Sequence, residues 1–468
     1  MGTCMSKPRQ KPIKIYVKDK IVDKAASEIS IHSVYKLGKN IGVGTFGVVK
    51  VGHNLSNPKE KVAVKVIFKN KLNTSAKRLK YEIDILLTLD HPNIIKCFET
   101  FEDEHHIYIV MEFCSGGELI EIFPQEGALA ESDALDYIRR ILMAVNHVHR
   151  IGIVHRDLKP ENFLFSTTKA THELKLVDFG LSNKFSDKFE KLHSTVGTPF
   201  YIAPEVLKSN YDSKCDLWSV GIILYIMLSG DLPFYAENVN AVFKKIESGV
   251  FSMRGTIWDD ISEESKHLVS RLICLNTHDR LSAQEALMHP AIHKIPVTPI
   301  NTFDLVGRLK SYSELNYLKK CIFAVFVKYL NFDKIVDQRR AFTTFDRGLS
   351  GVIGAIEICD TYEEIGAEVS QQEVSALMSK VGLRHKGKLC FSEFVSVLTK
   401  NSDYITEEII KLTFEFFDRD RKGYFNTKNY IEAIDLLGGK MTVEDAEEQL
   451  KAISSMAVVA YEDFKKLL

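Results

Sequence analysis

The chain has 468 residues, of which 45% are hydrophobic and 26% charged, with a formal net charge of −1. That length fits roughly two to four domains with ordinary packed cores. The balanced charge excludes nucleic-acid binding by bulk electrostatics. Eight cysteines lie scattered without metal-ligand spacing or a disulfide-like framework, a pattern that suits reduced thiols in the cytosol. The longest apolar runs, VGIILYIML and CIFAVFV, fall far short of the about 20 residues needed to span a bilayer, and no secretory signal is present.

Residues 1–34 form a polar, basic tail. Its start, MGTCMS, fits the myristoylation pattern, with Gly2 as acceptor and Cys4 beside it as a palmitoylation candidate. Lys7, Arg9, Lys11, Lys14, Lys18 and Lys20 follow. One acyl chain holds a membrane marginally, and a second chain or a basic patch completes the anchor. The expectation is a cytoplasmic protein that sits on the inner face of a membrane through this tail. The bland alternative is a tail that merely begins Met-Gly.

Residues 35–293 carry dense apolar patterning. NIGVGTFGVVKVG reads as strand, glycine turn and strand, KVAVKVIF alternates, and HIYIVMEF is a buried-type strand. In DALDYIRRILMAVNHVHR, Leu135, Ile138, Leu142, Val145 and Val148 recur at helical spacing. A strand-rich start and a helix-rich remainder predict two lobes around a cleft.

Several motifs fall in order along this segment. GVGTFGVV (Gly42–Val49) lets backbone amides approach phosphate oxygens. Lys65 ends VAVK, and Glu82 lies on the next predicted helix. HRDLKPEN (His155–Asn162), DFG (Asp178–Gly180) and APE (Ala203–Glu205) follow. Each alone has an innocent reading, since a glycine hairpin or an Asp-Phe-Gly is commonly just a turn. The ordered set resembles the eukaryotic protein kinases, of the serine/threonine class in the forms LKPEN and GTPFYIAPE.

The resemblance implies roles residue by residue. Asp157 would accept the substrate hydroxyl proton, with Lys159 beside the transferred phosphate. Asn162 and Asp178 would hold magnesium, and Lys65, oriented by Glu82, would hold the ATP phosphates. The nucleotide would lie among Ile41, Gly42, Val43, Gly44, Thr45, Phe46, Gly47, Val48, Val49, Ala63, Met111, Leu164 and Glu118, with Glu112 and Cys114 offering backbone groups to adenine. Glu118, Glu161 and Thr198 would meet the protein substrate, the two glutamates favouring Arg or Lys two or three residues before the acceptor. Arg280 would pair with Glu205. Ala291 stands where relatives usually show tryptophan.

Residues 294–340 read as a junction. Gly307–Leu330 is predicted as one basic amphipathic helix with Leu315, Leu318, Ile322, Val325 and Tyr329 on its apolar stripe. Such a helix reads as calmodulin-target-like or membrane-surface, or simply as a linker packed on the kinase, and an autoinhibitory role is a further candidate. Arg308 three residues before Ser311 makes the segment a candidate for self-phosphorylation.

Residues 341–468 repeat. Twelve-residue loops begin at Asp346, Gly382, Asp418 and Ala452. Gly351, Gly387 and Gly423 share position 6, and Ile353, Leu389, Phe425 and Val459 share position 8. These loops resemble four EF-hands of a calmodulin-like domain. Kinase, junction and EF-hands together resemble the calcium-dependent protein kinases. The implied fold class is α+β: a bilobal kinase followed by an all-α EF-hand domain. Implied cofactors are ATP and Mg2+, with contacts between the kinase, the junction and the EF-hands of one chain.

Calcium is a third candidate cofactor that the ligand set serves poorly. It wants oxygens at loop positions 1, 3, 5, 7, 9 and 12. Loop one offers Asp346, Ser350 and Glu357 but has Gly348 at position 3. Loop two has Arg384 and Lys386 in ligand positions. Loop three offers Asp418 and Asp420, but Lys422 and Asn429 depart from the pattern. Loop four keeps Ser454 and Asp463. The expectation is an active kinase with weak or lost calcium control. The alternatives are full calcium activation through loops one and three, or a pseudokinase scaffold, against which no catalytic position is missing.

Overall fold

A computed structural model describes residues 30–44, 47–58, 61–71, 83, 86–124, 127–167, 173–178, 199–208, 211–293, 304–330, 335–384, 387–399 and 406–468. Gly2, Cys4, Thr45, Phe46, Glu82, Thr198 and Lys386 lie outside the described residues.

The first lobe is an antiparallel sheet of β1 (Tyr35–Gly44), β2 (Gly47–Asn54), β3 (Lys61–Phe68), β4 (Cys97–Glu102) and β5 (His106–Glu112), in the order β1-β2-β3-β5-β4. Val62, Val64 and Val66 alternate onto one face and pack with Tyr108 and Val110. Gly47 starts β2 because nothing larger fits: a Cβ there would lie 1.8 Å from Val66 O.

The second lobe is helical. Helix α1 (Glu131–Arg150) buries Leu135, Ile138, Leu142, Val145 and Val148, the stripe expected from spacing. The short strands β6 (Phe163–Phe165) and β7 (Leu174–Leu176) pair beneath the cleft. Helix α2 (Lys214–Ser229) is apolar on nearly every face and runs through the core, where Trp218 stacks on Phe234 with ring centroids 5.7 Å apart. VGIILYIML is therefore a buried core helix. Among the described residues no helix is long and apolar enough to cross a membrane.

The junction departs from the single helix expected. It forms α3 (Leu305–Ser313) and α4 (Tyr317–Tyr329). The break has a local cause: the Asn316 side chain accepts from Lys319 N–H at 2.8 Å and caps a new helix. Leu315 thus falls in the turn, and Ile322 and Val325 lie in the core that α4 shares with the last EF-hand pair. Helix α5 (Val336–Phe345) crosses the expected boundary at residue 340 and enters loop one directly.

The EF-hand domain follows as α6 (Ala355–Glu364), α7 (Gln371–Val381), α8 (Phe391–Leu398), α9 (Glu407–Phe417), α10 (Thr427–Leu436), α11 (Val443–Lys451) and α12 (Tyr461–Lys465). Its loops pair two by two: β8 (Val352–Gly354) with β9 (Lys388–Cys390), and β10 (Tyr424–Asn426) with β11 (Val458–Ala460). Ile353 faces Leu389 and Phe425 faces Val459, so the repeated position 8 makes both bridges. Gly351, Gly387 and Gly423 hold left-handed φ of 76°, 77° and 81°. In loop four Ala457 takes the same place at φ 53°, a conformation that costs an alanine roughly 1–2 kcal/mol.

Candidate active site

The catalytic loop is held from behind. Asp216 in α2 is 1% exposed and accepts His155 N–H at 2.9 Å and Arg156 N–H at 2.8 Å, while His149 Nε2 lies 2.7 Å away. Burial alone would raise the Asp216 carboxyl. The His149 hydrogen bond and charge, with His155 and the Arg156 amide, hold it below the usual carboxylate range. This anchor lets Arg156 keep a left-handed φ of 70°. Sequence reasoning missed Asp216 and His149. An acidic residue opening an otherwise apolar helix was the available signal.

Asp157, Lys159 and Asn162 come together as expected. Asn162 Nδ2 donates to Asp157 O at 2.6 Å, and Lys159 Nζ stands 3.5 Å from Asp157 Oδ2. His155 Nε2 lies 3.2 Å from Val177 O and ties this loop to the strand leading into Asp178. Asp178, at φ 58°, forms an ion pair with Lys65 across the two lobes. Burial pushes the Asp178 carboxyl up, but the Lys65 cation outweighs it and keeps the group ionised. The Asp178 carboxylate and the Asn162 amide oxygen are hard oxygen donors that fit Mg2+. Bound there, the ion would neutralise phosphate charge in the transfer.

The nucleotide wall also assembles. Ala63 faces Met111 across β3–β5, Val49 faces Lys65 across β2–β3, and Glu118 bridges to Leu164. Glu112 is buried, its carboxylate accepting Lys96 N–H at 2.8 Å and lying 3.3 Å from the fully buried Lys175 ammonium. Its own N–H donates to Lys96 O, so its carbonyl is the group it can offer adenine. Ile41 and Val43 are exposed on the hairpin, as a wall does that closes on a ligand.

Arg280 is buried and bonds Glu205 through both arms, Nη2 to Oε2 at 3.0 Å, as the sequence implied.

Comparison with known proteins agrees with this geometry. A family model described as "Protein kinase domain" matches residues 35–292. Calcium-dependent protein kinase 32 of Arabidopsis thaliana is 34% identical over 94% of this chain and 82% of its own length. Calcium-dependent protein kinase 10 of the same plant is 36% identical over 87% and 76%. Calcium-dependent protein kinase 3 of Plasmodium berghei (strain Anka) is 33% identical over 85% and 72%. The chain belongs to the calcium-dependent protein kinases. It is a serine/threonine protein kinase that uses ATP and Mg2+.

In this calcium-dependent protein kinase the loops close through their own donors. In loop one Asp346 accepts Ser350 N–H and Gly351 N–H, each at 2.8 Å, and Glu357 accepts Gly348 N–H at 3.0 Å and Gly354 N–H at 2.7 Å. Burial raises the Asp346 carboxyl to about 6. In loop two Glu393 at position 12, passed over in the sequence reading, accepts Leu383, Arg384 and Cys390 N–H. In loop three Asp420 Oδ2 receives Lys422 Nζ and Asn429 Nδ2, each at 3.2 Å, while Asp418 accepts Lys422 N–H and Gly423 N–H.

Proposed function

We propose that this kinase phosphorylates Ser/Thr near basic residues, with direct calcium control weak or lost. The observation that carries the second part is the donor set of loop three. The Lys422 ammonium stands beside Asp420 Oδ2, and the Asn429 amide donates to the same oxygen. A cation and a donor thus occupy an oxygen that a calcium ion would need, and opposite charges a few ångströms apart attract. Gly348 in loop one and Arg384 in loop two subtract further ligands. The test is activity on a basic peptide across buffered calcium. Flat activity is the expected result, and a steep rise with calcium would overturn the reading. As a gain-of-function check, Lys422→Asp with Asn429→Glu should create calcium binding in an intact fold.

A second reading, activation through loops one and three, is favoured by Asp346 and Glu357, which keep carboxylates at positions 1 and 12 of one loop. The same titration separates the two.

The basic-substrate preference is supported by crowded negative charge. Burial, then Glu121 and Glu161, push the Glu118 carboxyl above its usual range. A cationic substrate side chain would relieve that repulsion. A peptide array with Arg or Lys before the acceptor should outrun its alanine and acidic counterparts. The acylation pattern MGTCMS, with Gly2 and Cys4 as acceptors and basic residues after them, supports placement on the cytoplasmic face of a membrane. Radiolabelled myristate incorporation into wild type but not Gly2→Ala tests it.

A further inference from the structure

Residue 384 is the third position of loop two, where a calcium loop places an oxygen ligand. Here it is an arginine, and its side chain leaves the loop for the kinase. Nη1 donates to Thr88 O at 2.7 Å and stands 3.8 Å from Asp90 Oδ2. Nε donates to Leu437 O at 2.7 Å, at the end of α10. One guanidinium therefore joins the kinase, the first EF-hand pair and the second. Its side chain is 15% exposed and that of Asp90 11%, so the contact is largely dry.

Asp90 makes a second bond to the tail. Its Oδ2 accepts Ser392 N–H at 3.0 Å and Ser392 Oγ–H at 2.7 Å. Ser392 lies in the first turn of α8, where helix N–H groups lack intrahelical partners and a carboxylate is favoured. A kinase residue thus caps a helix of the EF-hand domain. Loop one seats beside it: Asn146 Nδ2 in α1 donates to Leu349 O at 2.7 Å, and Leu349 is buried in the kinase core. Gly351 packs so closely that a Cβ would lie 2.3 Å from His147 Nδ1.

We propose that loop two is a docking key whose ligand is the chain's own kinase domain, Arg384 and Ser392 seating on Thr88 and Asp90 to hold the tail in place without a bound ion. This rests on the reading of weak calcium control and adds the residues that replace the ion. An arginine committed to Thr88 O and Asp90 cannot serve a cation, so calcium at loop two and docking exclude each other.

The test is hydrogen exchange by mass spectrometry on the intact chain, in chelator and in calcium. In chelator the wild type should protect residues 86–98 and 387–398. Arg384→Gln should speed exchange in both segments by about tenfold or more. Asp90→Asn should do the same from the kinase side. Unchanged exchange within α2, buried in the kinase core, marks undocking as distinct from unfolding. If a single variant unfolds globally, Ser392→Ala decides, since it removes only the hydroxyl that donates to Asp90 at 2.7 Å: faster exchange in both segments supports the key and unchanged exchange counts against it. Unaltered exchange in both single variants would overturn the key and leave calcium independence standing. Wild-type segments protected only in calcium would instead overturn the calcium reading.

Discussion

Asp157 shows how little a phosphotransferase asks of any one side chain beyond position. Its backbone carbonyl is gripped by Asn162, its carboxylate faces Lys159, and the loop that carries it hangs from Asp216. Asp157→Asn keeps the shape and removes the proton acceptor. Its kcat should fall by roughly 10²–10⁴-fold with ATP affinity little changed, as steady-state kinetics and nucleotide titration would read. The motif residues were legible because phosphate chemistry restricts their types and order. Asp216 was not, because its role depends on α2 passing beneath the catalytic loop.

At the scale of elements, ion pairs and caps set the joints. Arg280 fixes the helix that begins at Pro204 to the segment after Leu272 through Glu205, and its guanidinium also lies over Trp218. Removing one partner of a buried pair strands the other. Arg280→Ala should therefore cost about 3–5 kcal/mol in a denaturant melt, well above a surface pair. The junction shows the opposite outcome for sequence reasoning. Its apolar spacing runs through residues 307–330 without a gap, so periodicity alone reads one helix. Asn316 breaks it through a cap that competes locally with helix continuation.

Across the whole molecule, kinase and tail meet in a buried seam. His91 is buried there, its ring 5.0 Å from His147, with Asn93 N–H donating to its Nδ1. Burial first, then His147 and Lys175, hold its pKa well below the usual value. The folded state thus binds fewer protons than the unfolded chain once pH drops below about 6.5, and stability is lost as pH falls. Well above that value the group contributes no slope. Urea melts should show wild-type stability falling from pH 6.5 to 5.5 by about 1 kcal/mol from this group, and His91→Gln should flatten that share of the slope.

The sequence by itself determined the lobes, the ordered catalytic residues, the four-fold loop repeat and the damage to its calcium ligands. Those follow from local spacing and from residue types that phosphate and calcium chemistry select. Only the tertiary structure decided what the altered loops do instead. Arg384 reads in sequence as a broken ligand; in space it meets Thr88 and Asp90, nearly 300 residues away, in a site largely closed to water. A long-range contact between two buried charges leaves no periodicity in the chain, so no reading of spacing could have found it.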